Sequence, residues 1–175
     1  MLPALNMILV TAGILTDGER LLVCQRKAGS RFGLKWEFPG GKVEAGESPE
    51  GCLRRELAEE LAIEAEVGPE IYRIDHQYPG GFAVRLLFFR VLGYTGTPVN
   101  RAFERLAWVR REDLAGYDFL DADRDLVERL ACATRLMPSV VPRVKMISSA
   151  LRALMNLAAR ARAASNAAVA RLLNS

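Results

Sequence analysis

Three glutamates, Glu56, Glu59 and Glu60, stand at i, i+3 and i+4. On a helix they share one face, where like charges repel and weaken the helix slightly. A divalent cation turns that repulsion into a binding site. Oxygen donors of this kind suit Mg²⁺, with Mn²⁺ as the alternative, and water and substrate phosphates complete the octahedron. A solvated acidic face is the competing reading, and it fits a bare ExxEE at least as well.

The surroundings separate the two readings. Gly41 is followed six residues later by Glu47, and eight residues after that by Arg55-Glu56-Leu57-Ala58-Glu59-Glu60-Leu61-Ala62-Ile63. This resembles the Nudix box, a glycine, a glutamate and then Arg-Glu-apolar-x-Glu-Glu-x-Gly-apolar at the same spacing. The one departure is Ala62, where the box has glycine. That glycine ends the helix in a left-handed conformation, so the alanine is expected to carry strain and alter the helix end while sparing the metal site. Trp36-Glu37-Phe38-Pro39-Gly40-Gly41-Lys42-Val43-Glu44 is similar to the lead-in of MutT-type members. The likeness runs from about residue 10 to residue 130.

The resemblance implies a Nudix-type α/β/α sandwich with a mixed sheet. It implies attack of water on a phosphorus of a nucleoside-linked pyrophosphate, in MutT-type members converting a triphosphate to a monophosphate and pyrophosphate. By position, the Gly40 carbonyl, Glu56 and Glu60 are the implied metal ligands. Glu59 holds metal directly or through water, Glu56 doubles as general base, and Arg55 pairs with Glu47 to orient the cluster. A further metal-binding glutamate of MutT-type enzymes falls at Ala102. Glu104 stands nearby, either as its replacement or as an ordinary exposed charge.

For substrate, the resemblance points to Arg26, whose fork of donors suits phosphate or ribose oxygens; a plain surface arginine is the alternative. Lys42 is expected towards phosphate. Phe38 is expected as core and base-pocket wall, and Tyr78 joins the substrate-binding set. Asp123 matches a position that reads a base edge: ionised, it accepts from an amine, and protonated, it donates to an oxo group. An N-terminal helix cap is its other reading. His76, the sole histidine, is assigned no catalytic role.

The elements that must hold these residues are legible from periodicity. Residues 7–15 are apolar and branched, Asp17-Gly18 signals a hairpin, and 21–25 returns as a strand. Residues 28–35 read as a loop. Ser48-Pro49 caps and starts a helix to about residue 61, with Leu53, Leu57 and Leu61 as its packing stripe. Strands follow at 63–77 and 82–92, joined through Pro79-Gly80-Gly81, and at 105–109. A turn or short helix is expected at 111–115 and a helix at 122–136. The order β, β, helix, β, β, β, helix argues against a doubly wound parallel sheet.

Charge divides the chain. Up to Glu128 there are 16 basic against 21 acidic residues, a net of −5, whereas Arg129 onward holds 8 basic residues and no acidic one. Residues 138–142 read as a linker. Residues 143–173 read as a basic amphipathic helical tail, giving a Nudix domain at 1–137 and a tail at 138–175. Packing on the domain or dimerisation is favoured for the tail over an anionic membrane or nucleic acid, because its apolar face is alanine and leucine with few aromatics. Cys24, Cys52 and Cys132 are odd in number and far apart, against a disulfide framework or zinc site. With neither a secretory signal nor an apolar run of membrane-spanning length, a cytoplasmic protein is expected.

The function expected is therefore Mg²⁺-dependent hydrolysis of a nucleoside triphosphate, an oxidised purine such as 8-oxo-dGTP or a cytidine nucleotide. Other hydrolase substrates, ADP-ribose, a nucleotide sugar or a dinucleoside polyphosphate, share the same box. A non-catalytic nucleotide sensor is the rival from another class, and the retained glutamates weigh against it.

Overall fold

The computed structural model describes residues 7–133. The linker and basic tail expected beyond them lie outside the described residues. Branched and aromatic runs form strands β1 (Met7–Ile14), β2 (Thr16–Asp17), β3 (Arg20–Gln25), β4 (Trp36–Glu37), β5 (Glu64–Tyr78), β6 (Phe82–Thr95) and β7 (Arg105–Arg110). Helix α1 spans Pro49–Leu61 and α2 spans Arg124–Ala133, with a short 3-10 helix at Arg111–Gly116. Within the described residues the expected elements are all present. The two short strands β2 and β4 are additions, too brief to carry a period.

The strands divide between two sheets. In the first, β1 runs parallel to β6, which pairs antiparallel with β5, so this sheet is mixed as expected. In the second, β3 pairs antiparallel with β2, β4 and β7. The long β5–β6 ladder shifts register between Glu66 and Tyr72. Pro69 lies in that stretch and has no N–H to donate, which accounts for a local break in the ladder.

Both faces of β6 are buried, and its alternation sorts the core. Val84, Leu86 and Phe88 join Ala12, Ile14, Phe119, Leu126 and Val127 in one apolar cluster. Leu87, Phe89 and Val91 join Leu53, Leu57 and Leu61 of α1 in the other. A strand covered on both sides reads as a continuous apolar run, as β6 does. The three leucines of α1 are fully buried, each contributing about 1.5–3 kcal/mol. That stripe fixes the helix rotation and turns its acidic face outward from the leucines.

The ends of α1 follow from single residues. The Ser48 hydroxyl accepts from the Gly51 N–H at 3.1 Å, and Pro49 opens the first turn. At the other end Ala62 is left-handed, φ 58° and ψ 35°, and its N–H bonds to the Ala58 carbonyl. The alanine occupies the left-handed conformation that the resemblance to the Nudix box implied for a glycine at this position.

Candidate active site

The glycine pair is set against β1. On the edge of β1 away from β6, the Thr11 and Gly13 amides donate to the Gly41 and Pro39 carbonyls at 2.8 Å, and the Val43 amide returns a bond to Leu9. Gly40 has φ +149°, and a Cβ there would lie 2.1 Å from the Thr11 carbonyl oxygen. A Cβ on Gly41 would lie 2.3 Å from Glu56 Oε1. Two residues without side chains therefore let the acidic face of α1 approach backbone. The Gly40 amide donates to Glu60 Oε2 at 3.1 Å, tying the loop to the helix.

Arg55 organises the outer half of the cluster. Its Nε and Nη2 donate to the two oxygens of Glu47, each at 3.1 Å, a bidentate fork. Nη1 reaches Glu56 Oε1 at 2.9 Å and Glu59 Oε2 at 3.4 Å, and Nη2 also reaches the Lys42 carbonyl. The fork holds Glu47 below the usual carboxylate range. The expected Arg55–Glu47 pairing is present, with Glu56 and Glu59 gathered by the same guanidinium.

Glu60 behaves differently. Burial, then the nearby charges of Glu56 and Glu37, push it up to about 8. Among the described residues no three acidic, histidine or cysteine side chains converge as a ready ligand set. Arg55 holds Glu56 and Glu59, while the Gly40 amide holds Glu60. The donors are nevertheless all oxygens, and Glu60 carries repulsion that a divalent cation would remove. That chemistry fits a hard cation.

A cavity of about 180 Å³ opens beside the cluster, with Gly40 in its wall. Arg26, Phe38, Tyr78 and Asp123 line it, so four of the expected substrate residues come together. Lys42 and Glu104 are exposed and do not line it. Glu104 gives its backbone amide to the Gln25 carbonyl, and Ala102 packs against the α1 core cluster. Asp123 immediately precedes α2 and its side chain is buried. Burial, reinforced by Glu37, pushes its carboxyl well above the ordinary range, opposed by a hydrogen bond from the Phe38 amide. Asp123 thus stands at the residue before α2 and in the cavity lining. His76 lies edge-on to Tyr78 and outside the lining.

The structure adds residues that sequence reasoning left unassigned. Glu37 lines the cavity and accepts from Arg26 Nη1 with both oxygens, at 3.0 and 2.8 Å. Phe32 stacks on Tyr78 with centroids 4.7 Å apart, and the Arg31 guanidinium lies 4.3 Å from the Phe82 ring centroid. Those three residues come from a loop and a hairpin start, where no period marks them. Glu37 carried one signal, a lone charge within an otherwise apolar Trp36–Pro39 run.

The NUDIX domain family model matches residues 7–130. The 8-oxo-dGTP diphosphatase of Haemophilus influenzae is 37% identical over 127 residues, covering 71% of this chain and 92% of that protein. The CTP pyrophosphohydrolase of Escherichia coli K12 is 36% identical over 136 residues, covering 77% and 99%. Among solved structures, the E. coli ORF135 protein superimposes with a TM-score of 0.68 at 34% identity, covering 81% of this chain and 99% of that one.

Proposed function

This chain belongs to the Nudix hydrolase family, in its MutT-type branch, and we propose that it converts a nucleoside triphosphate to the monophosphate and pyrophosphate with Mg²⁺. The observation that carries the proposal is the juxtaposition of the Glu56–Glu60 face with an aromatic-walled cavity that shares Gly40. One end suits phosphate chemistry and the other a base.

Glu56, Glu60 and the Gly40 carbonyl would hold the metal ion, with Glu59 assisting; bound there, it would neutralise phosphate charge and acidify a water. Glu56 is placed as the general base, because its carboxylate lies at the mouth of the glycine pair. Arg55, through its fork on Glu47, keeps Glu56 from turning away, a positioning role. Phe38 and Tyr78 supply apolar surface for a base and exclude water from it.

Asp123 reads the base edge. Burial favours the neutral form of its carboxyl, and in that form it offers one donor and one acceptor side by side. That pair complements the oxo and N–H edge of a guanine-type base, and equally the amine and ring nitrogen of cytosine. It therefore agrees with both an 8-oxo-dGTP and a CTP reading, the activities for which the two relatives are named.

The test is pyrophosphate and phosphate release over natural and oxidised dNTPs, NTPs, ADP-ribose, nucleotide sugars and dinucleoside polyphosphates. Pyrophosphate from one or a few triphosphates is expected. Preferential cleavage of ADP-ribose or a nucleotide sugar would overturn the substrate class, and tight nucleotide binding without turnover would favour a sensor.

A further inference from the structure

The loop between β3 and β4, residues 26–35, ties the cavity wall to the β5–β6 hairpin. Its Arg31 and Phe32 both line the cavity, Phe32 stacked on Tyr78 and Arg31 over the Phe82 ring. Phe32 and Leu34 are left-handed without being glycine, with φ 58° and 66°. An L-residue keeps that conformation only where its surroundings enforce it. Whatever enforces this turn therefore also places the Phe32 ring.

Backbone bonds close the loop: the Arg26 amide donates to the Lys35 carbonyl at 2.9 Å, and the Leu34 amide to the Arg26 carbonyl at 3.1 Å. A side chain at the base of the loop adds a further tie. Gln25, the last residue of β3, is buried, and its Nε2 donates to the Leu34 carbonyl at 2.9 Å. In the sheet Gln25 stands opposite Trp36 of β4 on one side and Arg105 of β7 on the other. Arg105 Nε donates to Gln25 Oε1 at 2.9 Å, and its guanidinium lies 5.7 Å from the Trp36 ring centroid. A guanidinium only donates and a backbone carbonyl only accepts. Between them, a side chain must accept at one point and donate at another, and the glutamine amide does both. Its two partners also fix which end of the amide faces which.

We infer that Gln25, oriented by Arg105, is a positioning residue that holds the 26–35 loop in its left-handed turn and so sets nucleotide affinity through Phe32 and Arg31. Neither Gln25 nor Arg105 lines the cavity, so both act through the loop. The inference rests on the triphosphate reading above, in which the cavity takes the nucleotide. The loop takes no part in the attack of water, so its loss of order weakens binding and spares turnover.

The experiment measures KM and kcat for whichever nucleoside triphosphate the wild-type protein hydrolyses, in wild type, Gln25→Met and Gln25→Glu. Alongside, trypsin cleavage of the nucleotide-free proteins reports the loop directly, since Lys27 and Arg31 are exposed within it. Methionine keeps the length and loses both bonds, whereas glutamate keeps the bond to Arg105 and loses the donor to Leu34. Each variant should raise KM by about tenfold with kcat within about threefold of wild type. Cuts after Lys27 and Arg31 should quicken by about tenfold or more, while cuts elsewhere in residues 7–133 keep their wild-type rate. A general loss of stability would quicken them all. Should Gln25→Met fail to fold, Gln25→Glu carries the same test with its partner on β7 retained. Wild-type KM, wild-type loop cleavage or a loss confined to kcat in a folded variant overturns the inference alone. Absence of hydrolysis of every triphosphate by wild type overturns it together with the triphosphate reading.

Discussion

Gly41 and Glu56 occupy the same space in turn: a methyl group on Gly41 would lie 2.3 Å from Glu56 Oε1. The obstruction is the tip of a flexible side chain, so Gly41→Ala should fold and displace the carboxylate. Turnover should fall by about tenfold or more, since a misplaced catalytic group is costly, while the unfolding midpoint moves little. Gly40→Ala differs, because its Cβ meets backbone at 2.1 Å with φ +149°. That variant should lose stability first. Thermal melts beside initial rates separate the two, and equal loss of stability in both would contradict the assignment.

Arg55 forks onto Glu47 and reaches Glu56. Arg55→Lys keeps the charge without the fork, and Arg55→Ala removes both. Activity should fall by about 10- to 100-fold in the alanine variant, the usual cost of losing a partner that orients metal ligands. The lysine variant should recover part of it. Titration with Mg²⁺ should show weakened apparent metal affinity, and an unchanged metal dependence would return Arg55 to a surface ion-pair role.

Asp123 should leave a signature in stability against pH. Its folded pKa is raised above the unfolded value of about 3.9. The neutral form is therefore favoured by folding: the stability it contributes is complete below that unfolded value and is lost as pH rises towards the folded one. Glu37 and Glu60 are also raised, so the informative quantity is the difference between wild type and Asp123→Asn. Urea unfolding should show the variant gaining on wild type from about pH 4 upward. A constant difference across that range would mean that Asp123 is not a buried, raised carboxyl. The same variant should change the ranking of bases, and an unchanged ranking would leave the residue a helix cap.

Ala62 sits at φ 58°. Left-handed backbone costs an L-residue about 1–2 kcal/mol, and glycine gives back about 0.5–1 kcal/mol in unfolded-state entropy. Ala62→Gly should stabilise the protein by roughly 0.5–1 kcal/mol, with turnover unchanged. Denaturant midpoints check the first part, and a loss of stability would show that the alanine is unstrained.

Local chemistry made α1 legible. Ser48-Pro49 and the leucine stripe act within one or two turns, so their geometry follows from helical period, whereas the Glu47–Arg55 pair was implied by the resemblance to the Nudix box. The left-handed conformation at Ala62 was implied by the glycine that the box carries at that position. Glu37 was not, because its meaning depends on the β3–β4 register that sets it beside Arg26. The Phe32–Tyr78 stack and the Arg31–Phe82 contact join a loop to the β5–β6 hairpin, and no sequence spacing encodes that meeting. Pairing of β1 with β6, in which partners stand 76 residues apart, is likewise a tertiary fact. Asp123 was located but left between cap and reader, and its burial in the cavity wall depends on tertiary packing that no local spacing encodes.

The most direct test of the central claim is pyrophosphate release from the preferred triphosphate in Mg²⁺, measured for wild type, Glu56→Gln and Glu60→Gln together. Each glutamine keeps the shape of the side chain and removes a charge from a crowded acidic face. Both variants should fold like wild type and release pyrophosphate about 10²- to 10⁴-fold more slowly. Near wild-type release by either folded variant would contradict the metal and base assignments on which the account stands.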